Sequence, residues 1–258
     1  MAVAERTPIL EVKNVSKRFG AVQALDGVNF EVYTGEVVAL VGDNGAGKST
    51  LIKTIAGINL PDAGEIFFEG QRVIINGPRD VARLGIATVY QDLALCDNLD
   101  VVANLFLGRE EESPAPPLLR EEDMERRAVE VLKSLSVKLP HVRTPIAALS
   151  GGQRQSVAVS RSVMWAAKVV LLDEPTAALG VAQTKQVLDL IRRLKEQGLG
   201  VVVISHNLAD VFEVCDRITV LRLGRRIADF RVVDATREQV VSAITGATVD
   251  LMKTGNGQ

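Results

Sequence analysis

Two short stretches of this sequence carry residues whose spacing could do phosphate chemistry. Gly42-Asp43-Asn44-Gly45-Ala46-Gly47-Lys48-Ser49, followed by Thr50, fits the pattern GxxxxGK[ST]. The glycines let the backbone curl until several N–H groups face one anion, and the start of the following helix adds partial positive charge. Lys48 reaches the outer phosphates and Ser49 offers a hydroxyl to Mg2+. The second stretch, Val169-Val170-Leu171-Leu172-Asp173-Glu174, places two carboxylates at the end of an apolar run. Asp173 suits the shell of a magnesium ion, and Glu174 suits a base that polarises an attacking water. Together these stretches specify a nucleotide hydrolase or a kinase. A guanine-reading Asn-Lys-x-Asp element is not in the sequence.

The phosphate loop needs a strand before it and a helix after it. Glu36 to Val41 is an almost continuous apolar run, as in a strand buried on both faces, and Lys48 to Ala56 reads as a helix. Upstream, Ile9 to Val15 alternates, with Ile9, Glu11, Lys13 and Val15 expected on one face and Leu10 and Val12 on the other. Val28 to Tyr33 alternates again, and Gly64 to Phe68 with Arg72 to Ile75 forms a β-pair. Val101 to Leu107 reads as a short helix, Arg109 to Pro117 as a charged, proline-rich connector, and Glu121 to Leu135 as an amphipathic helix with acidic residues at its start. Val187, Leu190, Ile191 and Leu194 mark one face of another helix, with Gly198 at its C-terminal end. Val201 to Ile204 is a strand, and Ile218 to Leu223 with Arg226 to Phe230 makes a hairpin around Gly224. The expected fold is α/β: a P-loop nucleotide-binding core with a mainly parallel sheet, an antiparallel β portion near the N-terminus and a helical insertion. The core takes residues 1–91 and 151–258, the insertion 92–150. The tail from Lys253 reads as frayed.

Composition narrows the function classes. The 258 residues carry 30 Lys+Arg against 32 Asp+Glu, and 47% are hydrophobic, which fits a globular domain with a substantial core. The near-neutral charge and 4% aromatic content argue against a nucleic-acid partner. Cys96 and Cys215 form no CxxC pair and no disulfide framework. No apolar run approaches a membrane span, and the first ten residues carry no signal-peptide core, so the chain is expected in the cytoplasm.

A third element resolves the choice. Leu149-Ser150-Gly151-Gly152-Gln153 opens a helix and makes a second anion site, separate from the first. The order of phosphate loop, Gln91, LSGGQ signature, LLDEP strand and His206 resembles that of ATP-binding cassette ATPases over roughly residues 10–230. This resemblance implies that two subunits sandwich two ATP molecules head to tail. Ser150, Gly151, Gly152 and Gln153 of one would then face the phosphate loop of the other. It implies that Gln91 contacts Mg2+ or the water, that His206 meets the γ-phosphate and the water, and that Phe19 stacks on adenine. His141 has no role in it.

Two departures stand out. Where the wider family often has Ser-Ala-Leu-Asp, this chain has Ala177-Ala178-Leu179-Gly180. That variant, with Tyr90-Gln91-Asp92-Leu93 and Asn104-Leu105-Phe106-Leu107-Gly108, resembles the ribose, xylose and fructose class of bacterial sugar importers. That class usually fuses two cassettes, whereas this chain holds one, so it is expected to pair with itself. The resemblance implies an integral membrane permease as partner, docked on the insertion surface after Gln91. A secreted sugar-binding protein would act indirectly, and the chain would sit on the cytoplasmic face of a bacterial membrane. A non-transport cassette ATPase in translation or DNA maintenance is the alternative.

Overall fold

The computed structural model describes residues 7–112 and 118–247. Part of the Arg109–Pro117 connector and the tail from Lys253 lie outside them. In chain order the elements are β1 (Leu10–Phe19), β2 (Val22–Val32), β3 (Val37–Val41), α1 (Lys48–Ile55), β4 (Ala63–Phe68), β5 (Gln71–Val73), α2 (Pro78–Leu84), β6 (Ile86–Val89) and α3 (Val101–Phe106). There follow α4 (Glu121–Ser134), α5 (Gly151–Met164), β7 (Val169–Asp173), α6 (Val181–Glu196), β8 (Gly200–Ile204), α7 (Leu208–Val214), β9 (Arg217–Arg222), β10 (Arg225–Arg231) and α8 (Arg237–Thr245).

The strands make two sheets. One is antiparallel, in the order β2-β1-β4-β5; the other runs β10-β9-β3-β8-β7-β6. In the second sheet β9, β3, β8, β7 and β6 are parallel, and only edge strand β10 is antiparallel. This sheet is buried on both faces, which explains the unbroken apolar runs of its strands. Val38 and Leu40 of β3 join a core between the two sheets with Val12, Phe30, Ile52 and Leu171. Val37, Ala39 and Val41 point the other way, into a core with Leu190 and Ile191 of α6. A third apolar cluster gathers Val101, Leu105 and Phe106 of α3, Met124, Ala128 and Leu132 of α4, and Val157 and Met164 of α5. Helix α5 also sends Ala158 and Val159 into the second core, so it belongs by packing to both the insertion and the sheet.

The expected facing of the first strand is corrected by a bulge. Strict alternation puts Val15 opposite Leu10 and Val12, yet all three are buried. Asn14 sits at φ 51°, and the β1–β2 register shifts between Val12 and Val15. The extra residue turns Val15 back toward the core. Helices α2, α7 and α8 were not apparent from the sequence. The first two have seven residues each, too few to show a helical period.

Candidate functional site

Parallel pairing brings the key residues to one edge. Val89 of β6 lies beside Leu172 of β7, Asp173 beside Ile204 of β8, and Leu40 of β3 also beside Ile204. The chain leaves these four strands at their carboxyl ends as Gly42 onward, Gln91, Glu174 and His206. That edge is where ligands bind in open α/β sheets.

The phosphate loop runs from β3 into α1 and is shaped by close backbone approaches. Gly42 has φ 153°, and a Cβ there would collide with the carbonyl oxygen of Leu221. Gly47, at φ 104°, is the N-cap of α1 and leaves the helix start free of side-chain capping. Its first amides therefore remain available to an anion. Lys48 Nζ donates to Gly42 O at 2.7 Å and to Asp43 O at 3.0 Å, which holds the ammonium across the loop. Burial pushes the Lys48 pKa below its ordinary value, against the pull of Glu174, Asp43 and Asp173. Asn44, Gly45 and Ser49 are exposed, whereas Ala46 is buried as the loop's anchor.

The acidic pair divides its work by environment. Asp173 is half-buried, and its pKa is raised, by desolvation first and by the Glu174 charge next, with Lys53 and Lys48 pulling the other way. Glu174 adopts φ 50°, a left-handed conformation that is costly for a residue with a Cβ. Its N–H donates to Ile204 O at 3.0 Å. His206 Nδ1 lies 2.8 Å from Glu174 Oε2, and the Glu174 side chain is only 18% exposed against 76% for His206. The contact needs a proton on Nδ1 that is donated to the carboxylate, so a neutral ring presents Nε2 as an acceptor. His206 is thus arranged to orient Glu174. Donation from its other nitrogen to a phosphate oxygen would require the protonated ring. The sequence named both residues but gave no sign that they touch, because 31 intervening residues separate them.

The donors expected for magnesium are Ser49 hydroxyl, Asp173 carboxylate and Gln91 amide oxygen. All are hard oxygen donors, and Mg2+ is held in such sites by one or two carboxylates together with substrate phosphates. Among the described residues no group of three or more His, Cys, Asp and Glu could hold a metal ion, so the protein does not offer a full cage. Gln91 is exposed. The segment after it is tied to α5 by Arg161, whose guanidinium donates to Ala94 O at 2.9 Å and Leu93 O at 3.4 Å.

The signature residues lie at the N-terminus of α5. Ser150 caps the helix: Gln153 N donates to Ser150 Oγ at 3.3 Å, and Ser150 N donates to Gln153 Oε1 at 3.0 Å. Gln153 Nε2 donates to Lys138 O at 3.4 Å, so the structure engages this side chain within its own chain. The paired glycines have a packing reason. A Cβ on Gly151 would lie 2.9 Å from Leu179 Cδ2, and one on Gly152 would lie 3.0 Å from Gln183 Cβ. The first contact is with the movable tip of a side chain, whereas at Gly152 the absence of a Cβ lets α5 start close to the backbone of α6. Gly180 precedes α6 at φ −73° with open space around it, so no steric demand explains its lack of a side chain. Phe19 ends β1 and is 47% exposed, with Lys17 Nζ 5.6 Å from its ring centre. No described hydrogen bond joins Ser150–Gln153 to the phosphate loop.

The sequence model of the ABC transporter family matches residues 25–177. The xylose/arabinose import ATP-binding protein XylG of Sulfolobus acidocaldarius is 47% identical, across 96% of this chain and 98% of that protein. The fructose import ATP-binding protein FrcA of Rhizobium meliloti is 45% identical, across 93% and 95%. The alignment spans nearly the whole length of both relatives. Among solved structures, the ADP conformation of an ATP-binding cassette of an ABC transporter superposes with a TM-score of 0.80 at 29% identity, covering 93% of this chain and 96% of the other. A dimeric post-hydrolysis cassette bound to ADP and Pi superposes with 0.71 at 27% identity, covering 86% and 98%. With its loop, acidic strand and signature in the order and geometry described, this chain belongs to the ABC transporter family, among its ATP-binding subunits.

Proposed function

We propose that this chain hydrolyses ATP as one half of a homodimer and so powers uptake of a monosaccharide through a separate integral membrane permease. The observation that carries the reading is the convergence of Lys48, Asp173 and Glu174 at one sheet edge, with His206 on Glu174 at 2.8 Å. Loop amides and Lys48 bind the outer phosphates, and the two carbonyls that now share the Lys48 ammonium are exchanged for phosphate oxygens. Ser49, Asp173 and Gln91 would hold Mg2+, which when bound neutralises phosphate charge. Glu174, oriented by His206, takes the proton of the attacking water. Phe19 stacks on the adenine. Among the described residues no hydrogen bond joins the signature to the loop of its own chain, and Ser150, Gly151 and Gly152 serve the nucleotide of the partner subunit.

Among the described residues no helix is long and apolar enough to cross a membrane, so membrane passage falls to another protein. A cleft of about 500 Å3 opens between the sheet and the insertion, lined by Val81, Tyr90, Leu93, Leu107 and Trp165. It lies directly after Gln91 and is the proposed permease seat, on the cytoplasmic face. The sugar, delivered by a secreted binding protein, is of the fructose or ribose type, with xylose and arabinose, named for one relative, tested beside them. The test is reconstitution of the chain with its genomically adjacent permease in vesicles, with ATP inside and labelled sugars outside. ATP-dependent uptake of one of them supports the reading. ATP turnover indifferent to permease and sugar would instead point to a non-transport ATPase.

A further inference from the structure

The hairpin turn between β9 and β10 lies against the phosphate loop. Gly224 N donates to Ala46 O at 3.1 Å, and Gly224 O accepts from Asp26 N at 2.8 Å. One residue therefore ties the middle of the loop to β2 through its own backbone. The space for that tie is minimal. Gly224 sits at φ +76°, and a Cβ on it would lie 2.9 Å from Ala24 O and 3.1 Å from Ala24 C. From the other side, a Cβ on Gly47 would lie 2.7 Å from the same Ala24 O and 3.5 Å from Gly224 Cα. The loop is wedged between Ala24–Leu25 on one flank and Leu221–Gly224 on the other. Arg225 closes the arrangement by an ion pair with Asp26, at 2.5 Å from NH2.

We propose that Gly224 is a positioning residue for nucleotide binding, setting the loop's amides by fixing the Ala46 carbonyl. The sequence marked Gly224 only as a hairpin turn. The proposal rests on the reading that residues 42–50 bind phosphate. A side chain at 224 must push against Ala24 backbone, which cannot rotate away as a flexible side chain would. Relief requires the turn to withdraw from Ala46 or β2 to shift from Gly47. Either movement lowers the population of the binding-competent loop, and apparent affinity falls with that fraction.

The test is calorimetric titration of the full chain with Mg2+-ADP, which probes the loop without hydrolysis. Gly224→Ala should raise Kd by about tenfold or more. Gly198→Ala is the matched control: φ is +85° there, but nothing lies within 4 Å of an added Cβ. It shares the backbone strain and should lower Tm while leaving Kd at the parent value. If Gly224→Ala is too unstable to titrate at room temperature, the same comparison is made for all variants at a lower temperature at which its thermal unfolding curve shows it folded. Parent-like Kd in the Gly224 variant, or an equal rise in the Gly198 variant, overturns the proposal. Lys48→Ala separates the two readings. If it too keeps the parent Kd, the phosphate-loop assignment fails; if it loses binding while Gly224→Ala keeps it, only the role of Gly224 fails.

Discussion

Glu174→Gln isolates the base from its scaffold. The substitution keeps size, backbone and one acceptor oxygen, so His206 Nδ1 can still donate across the 2.8 Å contact. What disappears is a negative charge and its basicity. Loss of a positioned general base costs about 10²- to 10⁴-fold in rate. Binding should move the other way. Glu174 repels a γ-phosphate, and two unit charges about 5 Å apart interact by about 1–3 kcal/mol at effective dielectric constants between those of bulk water, about 80, and of a protein surface, about 20. Screening by solvent, Lys48 and magnesium reduces this to the low end, so Mg2+-ATP should bind about two- to fivefold tighter. The same change removes the charge that raises the Asp173 pKa, so Asp173 should ionise more readily. Phosphate release at saturating Mg2+-ATP gives the rate, and sedimentation gives the mass. The variant should turn over at least about 100-fold more slowly and accumulate as an ATP-bound dimer. Turnover at the parent rate would refute the assignment and make His206 the first alternative base.

Four further expectations follow from the geometry. Lys48→Ala should lose ATP binding and hydrolysis, read by nucleotide titration and phosphate release. Asp173 has a folded pKa above its unfolded value, so between the two values the folded state holds more protons and stability falls as pH rises. Asp173→Asn should therefore raise Tm of the nucleotide-free protein at neutral pH while impairing Mg2+-dependent hydrolysis, and the Tm gain should vanish below the normal carboxylate range. Gly180→Asp places a capping carboxylate in open space before α6 and, since glycine is itself a tolerated N-cap, should stabilise by only about 0.3 kcal/mol in denaturant unfolding. Gly152→Ala should destabilise, because an added Cβ meets Gln183 Cβ at 3.0 Å and its backbone Cα at 3.3 Å, where α6 cannot yield as a side-chain tip would; denaturant unfolding measures the loss.

What the sequence showed and what it hid divide along a physical line. Elements whose residues are neighbours in the chain were legible. The loop, the strand ending in Asp173 and the apolar β3 all announce themselves by local pattern, and the hairpin at Gly224 by its glycine. The bulge at Asn14 was hidden because one residue in left-handed conformation changes the face of Val15 without altering composition. The Glu174–His206 pair, the Arg161 tie to Ala94 and the wedge of Gly224 against Ala46 were hidden because each is long-range. The Ser150–Gln153 capping box is the opposite case: the four-residue spacing was visible, but it was read for its anion-binding start and not for the bonds that use the glutamine internally.

The signature glycines join these threads. Gly151 and Gly152 belong by pattern to an anion site at a helix start, yet within one chain their immediate neighbours are Leu179 and Gln183. Leu179 lies five residues after Glu174, at the end of a short turn that includes Ala178 at φ 59°. The segment that leaves Glu174 thus rests on the start of α5, which in the proposed dimer would serve the partner's nucleotide. Gly180 contributes no side chain to that segment, and the Leu179 packing does not depend on one. A displacement of the Glu174 backbone therefore has a steric route to Ser150 through two residues in contact, and it needs no carboxylate at position 180. If that route transmits the state of one site to the other, Leu179→Ala should weaken ATP-driven dimerisation of the Glu174→Gln protein while leaving Mg2+-ADP affinity unchanged. Restoration of the carboxylate by Gly180→Asp should not compensate. Sedimentation with ATP and titration with Mg2+-ADP read the two halves. Equal dimerisation with and without the Leu179 side chain would show that the contact serves stability alone.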